Sequence, residues 1–329
     1  MSTSEWHALH VHRHERQDEF LVDGLAPALT SVESFFFLRY WQGGPHLRVR
    51  VLLDSGLAEP ALDQLTERLS GYLASRPAGD FDVEGFRQAQ VTMAELESSD
   101  AEEIYPGDTI RRVPYEPEYD KYGGTEGVAI AERLFAASSR VVLDLLGDVA
   151  GRSPARLGAG LSMMVRGLCA AGFTAEAMAG FFAHYCVLWS PYVFTRFLDA
   201  WPDLLKERQE ATRAHVEALL SHAGELRDDP FAAAVATAWS SVSEAAEVVL
   251  PQVVLAGADA SRQSRERVLM ASYLHTHNNR LGLIPEQEAF LGFLGHHVLS
   301  ACAGRPPASD LIESVRRHRE ARLGAYASY

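Results

Sequence analysis

One stretch constrains the fold more than any other: Pro45–Leu53, PHLRVRVLL, in which polar and apolar residues alternate. A period of two predicts a β-strand with one charged face and one apolar face. The charged face carries His46, Arg48 and Arg50, and the apolar face carries Leu47, Val49 and Val51.

The preceding stretch 34–41, SFFFLRYW, predicts a partner strand, joined through the glycine-containing loop 42–45 as a hairpin. If Trp41 pairs with His46, Arg39 lies across from Arg48 and faces the same way. In a chain of net charge −14, this concentration of positive charge predicts an anionic ligand, or a group that becomes anionic during a reaction. The alternative is a solvated sheet face whose arginines pair with surface carboxylates, and the sequence leaves both interpretations open.

Composition excludes several classes of protein. The chain has 44 Asp and Glu against 30 Lys and Arg, which argues against general affinity for nucleic acid. No apolar run is long enough for a transmembrane helix, and the polar N-terminus contains no signal core. A cytoplasmic protein is therefore predicted. The three cysteines, Cys169, Cys186 and Cys302, stand in apolar contexts without a CxxC pair, so we expect structural thiols and neither a zinc site nor a disulfide framework.

The order of elements predicts an α+β fold. A strand at 6–12, a helical stretch from Asp18, the hairpin and a helix at 59–74 indicate an N-terminal antiparallel sheet with helices. Residues 76–126 are rich in proline and glycine and predict loops and short strands, with functional residues in the second half. The remainder predicts helices at 127–149, 174–189, 203–224, 230–249, 261–281, 286–303 and 308–323. We expect one unit, 1–329, with an α/β part (1–126) packed against a mainly helical part (127–329).

Polar residues are concentrated on the predicted helix over Met270–Leu283, MASYLHTHNNRLGL. At about 100° per residue, its candidate site residues fall on two neighbouring faces: Ser272, His275 and Asn279 on one, and Tyr273, His277 and Arg280 on the other. A histidine beside an apolar stripe is more often a core residue than a catalyst, but the density of partners favours function here. Because the two rings of His-x-His diverge on a helix, no metal site is predicted.

A third motif, Tyr115–Gly124, reads YEPEYDKYGG. Its carboxylates and phenols are typical of acid–base and positioning groups on a structured loop. Taken alone, the motif is better explained as a tyrosine-rich packing loop.

In this order and spacing, GPHLRVRV, YEPEYDKYGG and SYLHTHNNRLG resemble the C-terminal elimination domain of lantibiotic dehydratases and its stand-alone relatives in thiopeptide biosynthesis. The resemblance runs from Trp6 to about Arg322 and implies one of two chemistries. An elimination domain expels glutamate from glutamylated serine or threonine of a precursor peptide, which leaves dehydroalanine or dehydrobutyrine. A pyridine synthase joins two dehydroalanines by a formal [4+2] cycloaddition, with loss of water and of the leader peptide.

The spelling WQGGPH and the lysine at Lys121, where elimination domains usually carry arginine, favour the pyridine synthase. Stand-alone elimination enzymes and a non-catalytic, precursor-binding scaffold are the alternatives. The resemblance implies catalytic roles for Tyr273, Ser272, His277, Glu116 and Glu118. It implies substrate-binding roles for Arg39, His46, Arg48, Arg50, Tyr115, Lys121, His275, Asn279 and Arg280. The arginine strand and the polar helix are predicted to form opposite walls of one site.

The implied partner is a modified precursor peptide with leader and core. Other biosynthetic enzymes and a second copy of the chain are further candidate partners. Both reactions are redox-neutral, so we expect no cofactor and no metal.

Overall fold

A computed structural model describes residues 4–97, 99–255 and 261–323. The predicted α+β class is confirmed: an N-terminal antiparallel sheet is followed by a mostly helical part. The chain divides into two compact units, residues 1–118 with 135–151, and residues 119–134 with 152–329. The expectation of one unit over 1–329 stays a prediction, and its two ends lie outside the described residues.

The first unit is built on a four-stranded antiparallel sheet of order β2-β3-β1-β4. Its strands are β1 (Ser4–His12), β2 (Ser34–Tyr40), β3 (His46–Asp54) and β4 (Thr109–Val113). The apolar alternation of β3 is confirmed, since Leu47, Val49 and Val51 are fully buried. This apolar face forms the core of the unit.

Helical elements lie between the strands of this sheet in chain order. They are α1 (Gln17–Glu19), a π-helical turn (Phe20–Leu25), α2 (Ala26–Ala28), α3 (Ala58–Ser75) and α4 (Val83–Glu97). The helix predicted at 59–74 is α3; it buries Leu62, Leu65, Leu69 and Leu73 and packs on β3 and β4. Pro27 comes directly after the π-turn, where the regular hydrogen-bond pattern is already interrupted.

Helix α4 was not expected, because the sequence predicted loops and short strands over 76–126. The helix buries only Gln90 and Ala94, so it lacks the apolar stripe that identifies a helix in a sequence. It is attached to the hairpin by a polar contact instead. Gln90 accepts a hydrogen bond from Gly43 N at 2.9 Å and donates to Glu102 O at 2.6 Å.

The second unit is helical. Its elements are α5 (Tyr119–Tyr122), α6 (Gly124–Val149), α7 (Ser153–Ala170), α8 (Ala175–Trp189), α9 (Thr195–Ser221), α10 (Pro230–Glu244), α11 (Ala246–Val249), α12 (Arg262–Leu281), α13 (Pro285–Cys302) and α14 (Leu311–Leu323). Helix α6 contributes residues 124–134 to this unit and 135–149 to the first. The predicted helices all occur, with shifted ends. Between them lie 3₁₀ turns at Ser190–Tyr192, Ala223–Asp228 and Leu250–Gln252.

Helix α13 is buried along most of its length and packs against α7, α8 and α9. It approaches α8 closely at Gly292, where an added Cβ would lie 2.6 Å from the backbone nitrogen of Cys186. Glycine is therefore required where these two helices meet.

Cys186 is buried, whereas Cys169 and Cys302 are half-buried, and all three are free thiols.

Two kinds of feature are absent from the described residues. Within that part of the chain, no helix is long and apolar enough to cross a membrane. The same residues contain no group of three or more His, Cys, Asp or Glu side chains that could hold a metal ion.

Candidate functional site

The hairpin register determines which residues share the charged face. Tyr40 pairs with His46, Leu38 with Arg48, and Phe36 with Arg50. The predicted pairing of Trp41 with His46 is wrong, because the loop is one residue longer than expected at this end. Gly43 and Gly44, with φ of 76° and 95°, turn the chain within it.

This shift reverses the position of Arg39. A slip of one residue moves a side chain to the other face of a sheet, and Arg39 pairs with Leu47 on the apolar side. There its Nη2 lies 2.6 Å from Asp18 Oδ1 of α1. Arg39 therefore does not join Arg48, and the predicted alignment of three hairpin arginines is wrong.

The charged face is nevertheless larger than the hairpin. β1 pairs His10 with Arg48 and Ala8 with Arg50, and β4 pairs Arg111 with His10. We call this surface the arginine face; it consists of His10, His12, Tyr40, His46, Arg48, Arg50 and Arg111.

The guanidiniums of Arg48 and Arg50 lie against aromatic rings and not against carboxylates. The Arg48 Cζ lies 3.3 Å from the centroid of Tyr40, and the Arg50 Cζ lies 5.7 Å from that of Tyr115. Neither forms an ion pair with any described residue. Arg50 is 7% exposed, and its Nε and Nη1 are buried without a hydrogen-bond partner among the described residues. Burial lowers the pKa of Arg50 to about 10, so the group is still cationic at neutral pH.

The histidines of the arginine face are neutral. The rings of His10 and His12 lie 4.8 and 4.7 Å from that of His46. Burial, followed by the neighbouring cations and imidazoles, lowers the pKa of His10 to about 2, and burial lowers that of His46 to about 3. The Nδ1 of His46 lies 2.9 Å from Gly44 O, which requires a proton on Nδ1 and leaves Nε2 as an acceptor. The positive charge therefore comes from the guanidiniums.

Because these histidines are neutral in the folded protein, we expect acid to lower its stability. Burial lowers the pKa of His12 from 6.5 to about 4, so the unfolded chain binds a proton between those values and the folded chain does not. The stabilisation is fully present above pH 6.5. As the pH is lowered from there towards 4, the free energy of unfolding decreases by about 1.4 kcal/mol per pH unit for each such histidine. Urea unfolding across that range measures the slope. We expect His12→Phe, which keeps a ring in place, to flatten it; an unchanged slope contradicts this.

The residues of the loop after β4 differ in how they relate to the arginine face. The ring of Tyr115 lies 6.3 Å from Trp6 and 6.2 Å from Phe36, on the side of the arginine face. Glu116 and Glu118 are exposed, and Glu118 attracts the Arg50 cation electrostatically. The catalytic roles of both glutamates stay predictions.

In the second unit, α12 confirms the predicted helix. Ser261 caps its start by accepting a hydrogen bond from Ser264 N, and Gly282, with φ of 86°, ends it. The side chains of Tyr273, His277 and Arg280 are buried, whereas those of Ser272, His275 and Asn279 are half-buried. The hydroxyl of Ser272 donates to Val268 O within the helix. The polar residues therefore divide into a buried set and a set that retains access to solvent.

The buried set joins two motifs that are distant in sequence. The rings of Tyr122 and Tyr273 are parallel, with centroids 6.0 Å apart, and Lys121 Nζ lies 5.3 Å from the Tyr122 centroid. Burial raises the pKa of Tyr273 well above its ordinary value and lowers that of Arg280 to about 9. Tyr273 is therefore a phenol that stays protonated, and the cation that acts on it electrostatically is Arg133.

The ring of His277 is fully buried. Its ring centroid is 3.8 Å from that of Phe231, and burial, with a smaller effect from Arg280, lowers its pKa to about 3. A proton on this imidazole is strongly disfavoured at neutral pH. The catalytic role predicted for His277 stays a prediction.

The accessible set centres on His275. Its Nδ1 lies 2.8 Å from Oε1 of Glu288, its ring stacks on Trp189 at 4.1 Å, and its side chain remains 19% exposed. The second carboxylate oxygen, Oε2, accepts hydrogen bonds from Tyr185 Oη and from Asn278 Nδ2. A histidine held by a carboxylate and open on its other side is the usual arrangement of a proton-transfer group.

Glu288 and Tyr185 were not identified from the sequence. Glu288 lies in the first turn of α13, PEQE, where an acidic residue is expected merely to offset the helix dipole. Its complete burial follows from the packing of α13. Tyr185 lies in a strongly apolar helix, where it cannot be distinguished from a core aromatic residue.

Comparisons with known proteins agree with this fold. The family model described as "Lantibiotic biosynthesis dehydratase C-term" matches residues 6–299. A search of curated proteins gives no match. Among solved structures, the chain is similar to the pyridine synthase TbtD from thiomuracin biosynthesis, with TM-score 0.72, 21% identity, and 91% of this chain and 99% of that chain covered.

Two further structures are similar to the chain. For TsrL the TM-score is 0.63 and the identity 18%, with coverage of 95% of this chain and 99% of that one. For the tRNA-dependent lantibiotic dehydratase MibB from Microbispora sp. 107891, the TM-score is 0.59 and the identity 19%, with coverage of 91% and 28%.

Proposed function

Since the chain belongs to the lantibiotic biosynthesis dehydratase C-terminal family, we propose that it is an enzyme that modifies a ribosomal precursor peptide. Its reaction is pyridine formation: two dehydroalanines join in a formal [4+2] aza-cycloaddition, and water and the leader peptide are then lost. The observation that carries this proposal is the pair Arg48 and Arg50, cations on one sheet face whose buried Nε atoms, with Nη1 of Arg50, have no hydrogen-bond acceptor among the described residues.

The chemistry requires a group that stabilises developing negative charge. For one dehydroalanine to act as an azadiene, its amide must tautomerise, which places charge on the carbonyl oxygen. A preorganised guanidinium stabilises such charge without reorganising, because its position is fixed beforehand. Arg48 is held by the ring of Tyr40, and Arg50 by burial. Both are therefore assigned to the carbonyl oxygens of the substrate.

Proton transfer is assigned to His275, with Tyr273 as a hydrogen-bond donor. His275 has a carboxylate partner and an exposed edge. The phenol of Tyr273 is buried without a hydrogen-bond partner among the described residues, which suits a group whose partner is the substrate. That the arginine face and α12 serve one substrate stays a prediction.

Three observations favour pyridine formation over glutamate elimination. The likeness to the pyridine synthase has the higher TM-score, 0.72 against 0.59 for the dehydratase. The hairpin loop carries Trp41, Gly44 and Pro45 before the arginine strand, and Lys121 stands where elimination domains usually carry arginine. Since a lysine cannot hold a carboxylate with two parallel hydrogen bonds, the substitution weakens the case for a glutamate site.

Mass spectrometry of two reactions, one with each candidate precursor, tests the proposal. With a precursor that contains dehydroalanines and thiazoles, we expect a macrocycle and the released leader. Successive loss of glutamate from a glutamylated precursor would establish elimination instead. If the precursor binds but neither substrate changes in mass, the chain is a non-catalytic scaffold and the proposal is wrong.

A further inference from the structure

Glu288 is a carboxylate with no exposure to solvent. Burial of a carboxylate is costly unless hydrogen bonds replace those to water. Three donors surround this one: His275 Nδ1 at Oε1, and Tyr185 Oη and Asn278 Nδ2 at Oε2. They come from α12 and α8, so packing of separate helices assembles the network. Such a costly arrangement points to a role beyond packing.

We propose that Glu288 is the positioning residue of the site: it holds His275 in the tautomer with the proton on Nδ1 and the lone pair on Nε2. One consequence rests on the proposed function: Nε2 takes the proton of the substrate amide. Glu288 does not touch the substrate; it acts through His275. The tautomer itself is a property of the protein and does not depend on which substrate is bound.

The other two donors keep Glu288 an acceptor. Burial, followed by the charge of Glu288, raises the pKa of Tyr185 well above its ordinary value, so this phenol stays protonated. Asn278 presents its amide nitrogen, 3.1 Å from Oε2, and an amide nitrogen cannot accept. With Oε2 saturated by donors, Oε1 is the oxygen that remains for the imidazole.

The orientation of the ring is fixed independently. Trp189 stacks on His275 with an interplanar angle of 26°, which leaves the ring free to turn only within its own plane. The hydrogen bond to Oε1 then sets that rotation. Two contacts of different kind therefore direct Nε2 to a single position.

Glu288→Gln tests the proposal sharply, because the amide has one acceptor where the carboxylate has two. In the arrangement of the unaltered protein Asn278 Nδ2 and Tyr185 Oη both donate at the Oε2 position, so we expect the glutamine oxygen to face them. The glutamine NH₂ then faces His275, whose Nδ1 must become the acceptor, and the proton moves to Nε2. We expect turnover to fall about 10²- to 10⁴-fold, with peptide affinity changed less than about threefold.

Nitrogen NMR of the protein labelled with ¹⁵N-histidine reads the tautomer directly, with the His275 signals assigned by their loss in His275→Gln. We expect Nδ1–H in the unaltered protein and Nε2–H in Glu288→Gln. The matched control, Glu286→Gln, lies in the same turn of α13, accepts from Phe194 N, and should change neither tautomer nor turnover.

An Nε2–H tautomer in the unaltered protein overturns the proposal, and that measurement needs no variant to fold. An unchanged tautomer or unchanged turnover in a folded Glu288→Gln also overturns it. The tautomer is measured without substrate, so this result does not depend on the proposed function. If the protein has the Nδ1–H tautomer but is inactive on both substrates, the proposed function is wrong and the positioning role of Glu288 is not contradicted.

Discussion

Arg50→Met is expected to lower turnover by about 10²- to 10³-fold and, at the same time, to raise the free energy of unfolding by about 1–2 kcal/mol. The variant is expected to be less active but more stable, because the buried guanidinium destabilises the folded protein. Arg50 is 7% exposed and its Nε and Nη1 meet no acceptor among the described residues. Methionine fills a similar space without that desolvation penalty.

The loss of turnover has a different cause. In the proposed reaction the guanidinium meets the oxyanion only when charge develops, so its cost in the free protein is recovered in the transition state. Turnover of the dehydroalanine precursor under saturating conditions measures the first effect, and urea unfolding measures the second.

Arg112→Met is the matched control. Arg112 lies on β4, pairs with Leu9 on the opposite face of the sheet, and bridges to Glu59 and Asp63 of α3 at 3.1 and 2.5 Å. Exposed ion pairs contribute about 0–1 kcal/mol, so this variant should keep full turnover and lose little stability. If Arg50→Met is both active and unstable, the guanidinium is structural and the arginine face is not an anion site.

The hairpin shows how far sequence reasoning reaches. Alternation in β3 was sufficient to predict its apolar core face, because one face of the sheet must cover a core, but it did not predict that His46 and Arg50 on the other face are buried too. Alternation does not determine loop length, and one additional loop residue moved Arg39 to the apolar side. The error came from the turn, where the positive φ of Gly43 and Gly44 accommodates more than one loop conformation.

Helix α4 and Glu288 were missed for a related reason. Gln90 anchors α4 through hydrogen bonds to backbone groups of the hairpin and of residue 102, and such contacts leave no periodic signal in the sequence. Glu288 is buried because α13 is central in the second unit. By contrast, α12 was predicted almost to the residue, since its cap residues Ser261 and Gly282 are local signals.

His275→Gln is expected to lower turnover by about 10²- to 10⁴-fold, the range for removal of a general acid–base group. The expectation differs from the role predicted for His277 from the sequence. His275 has Glu288 at Nδ1 and an exposed edge, whereas the pKa of His277 is about 3 and its ring lies on Phe231. A proton on the fully buried ring of His277 is costly, whereas Nδ1 of His275 meets the carboxylate of Glu288.

Turnover and leader affinity of His275→Gln, His277→Gln and His297→Gln decide between the two. His297 is the matched control, a half-buried histidine on α13 whose Nδ1 meets Phe293 O at 2.9 Å. We expect His275→Gln to lose turnover while it binds leader normally, and His297→Gln to lose neither. If His277→Gln, folded and leader-bound, loses turnover while His275→Gln keeps it, proton transfer belongs to the buried set of α12. In that case the contacts of His275 with Glu288 and Trp189 are structural.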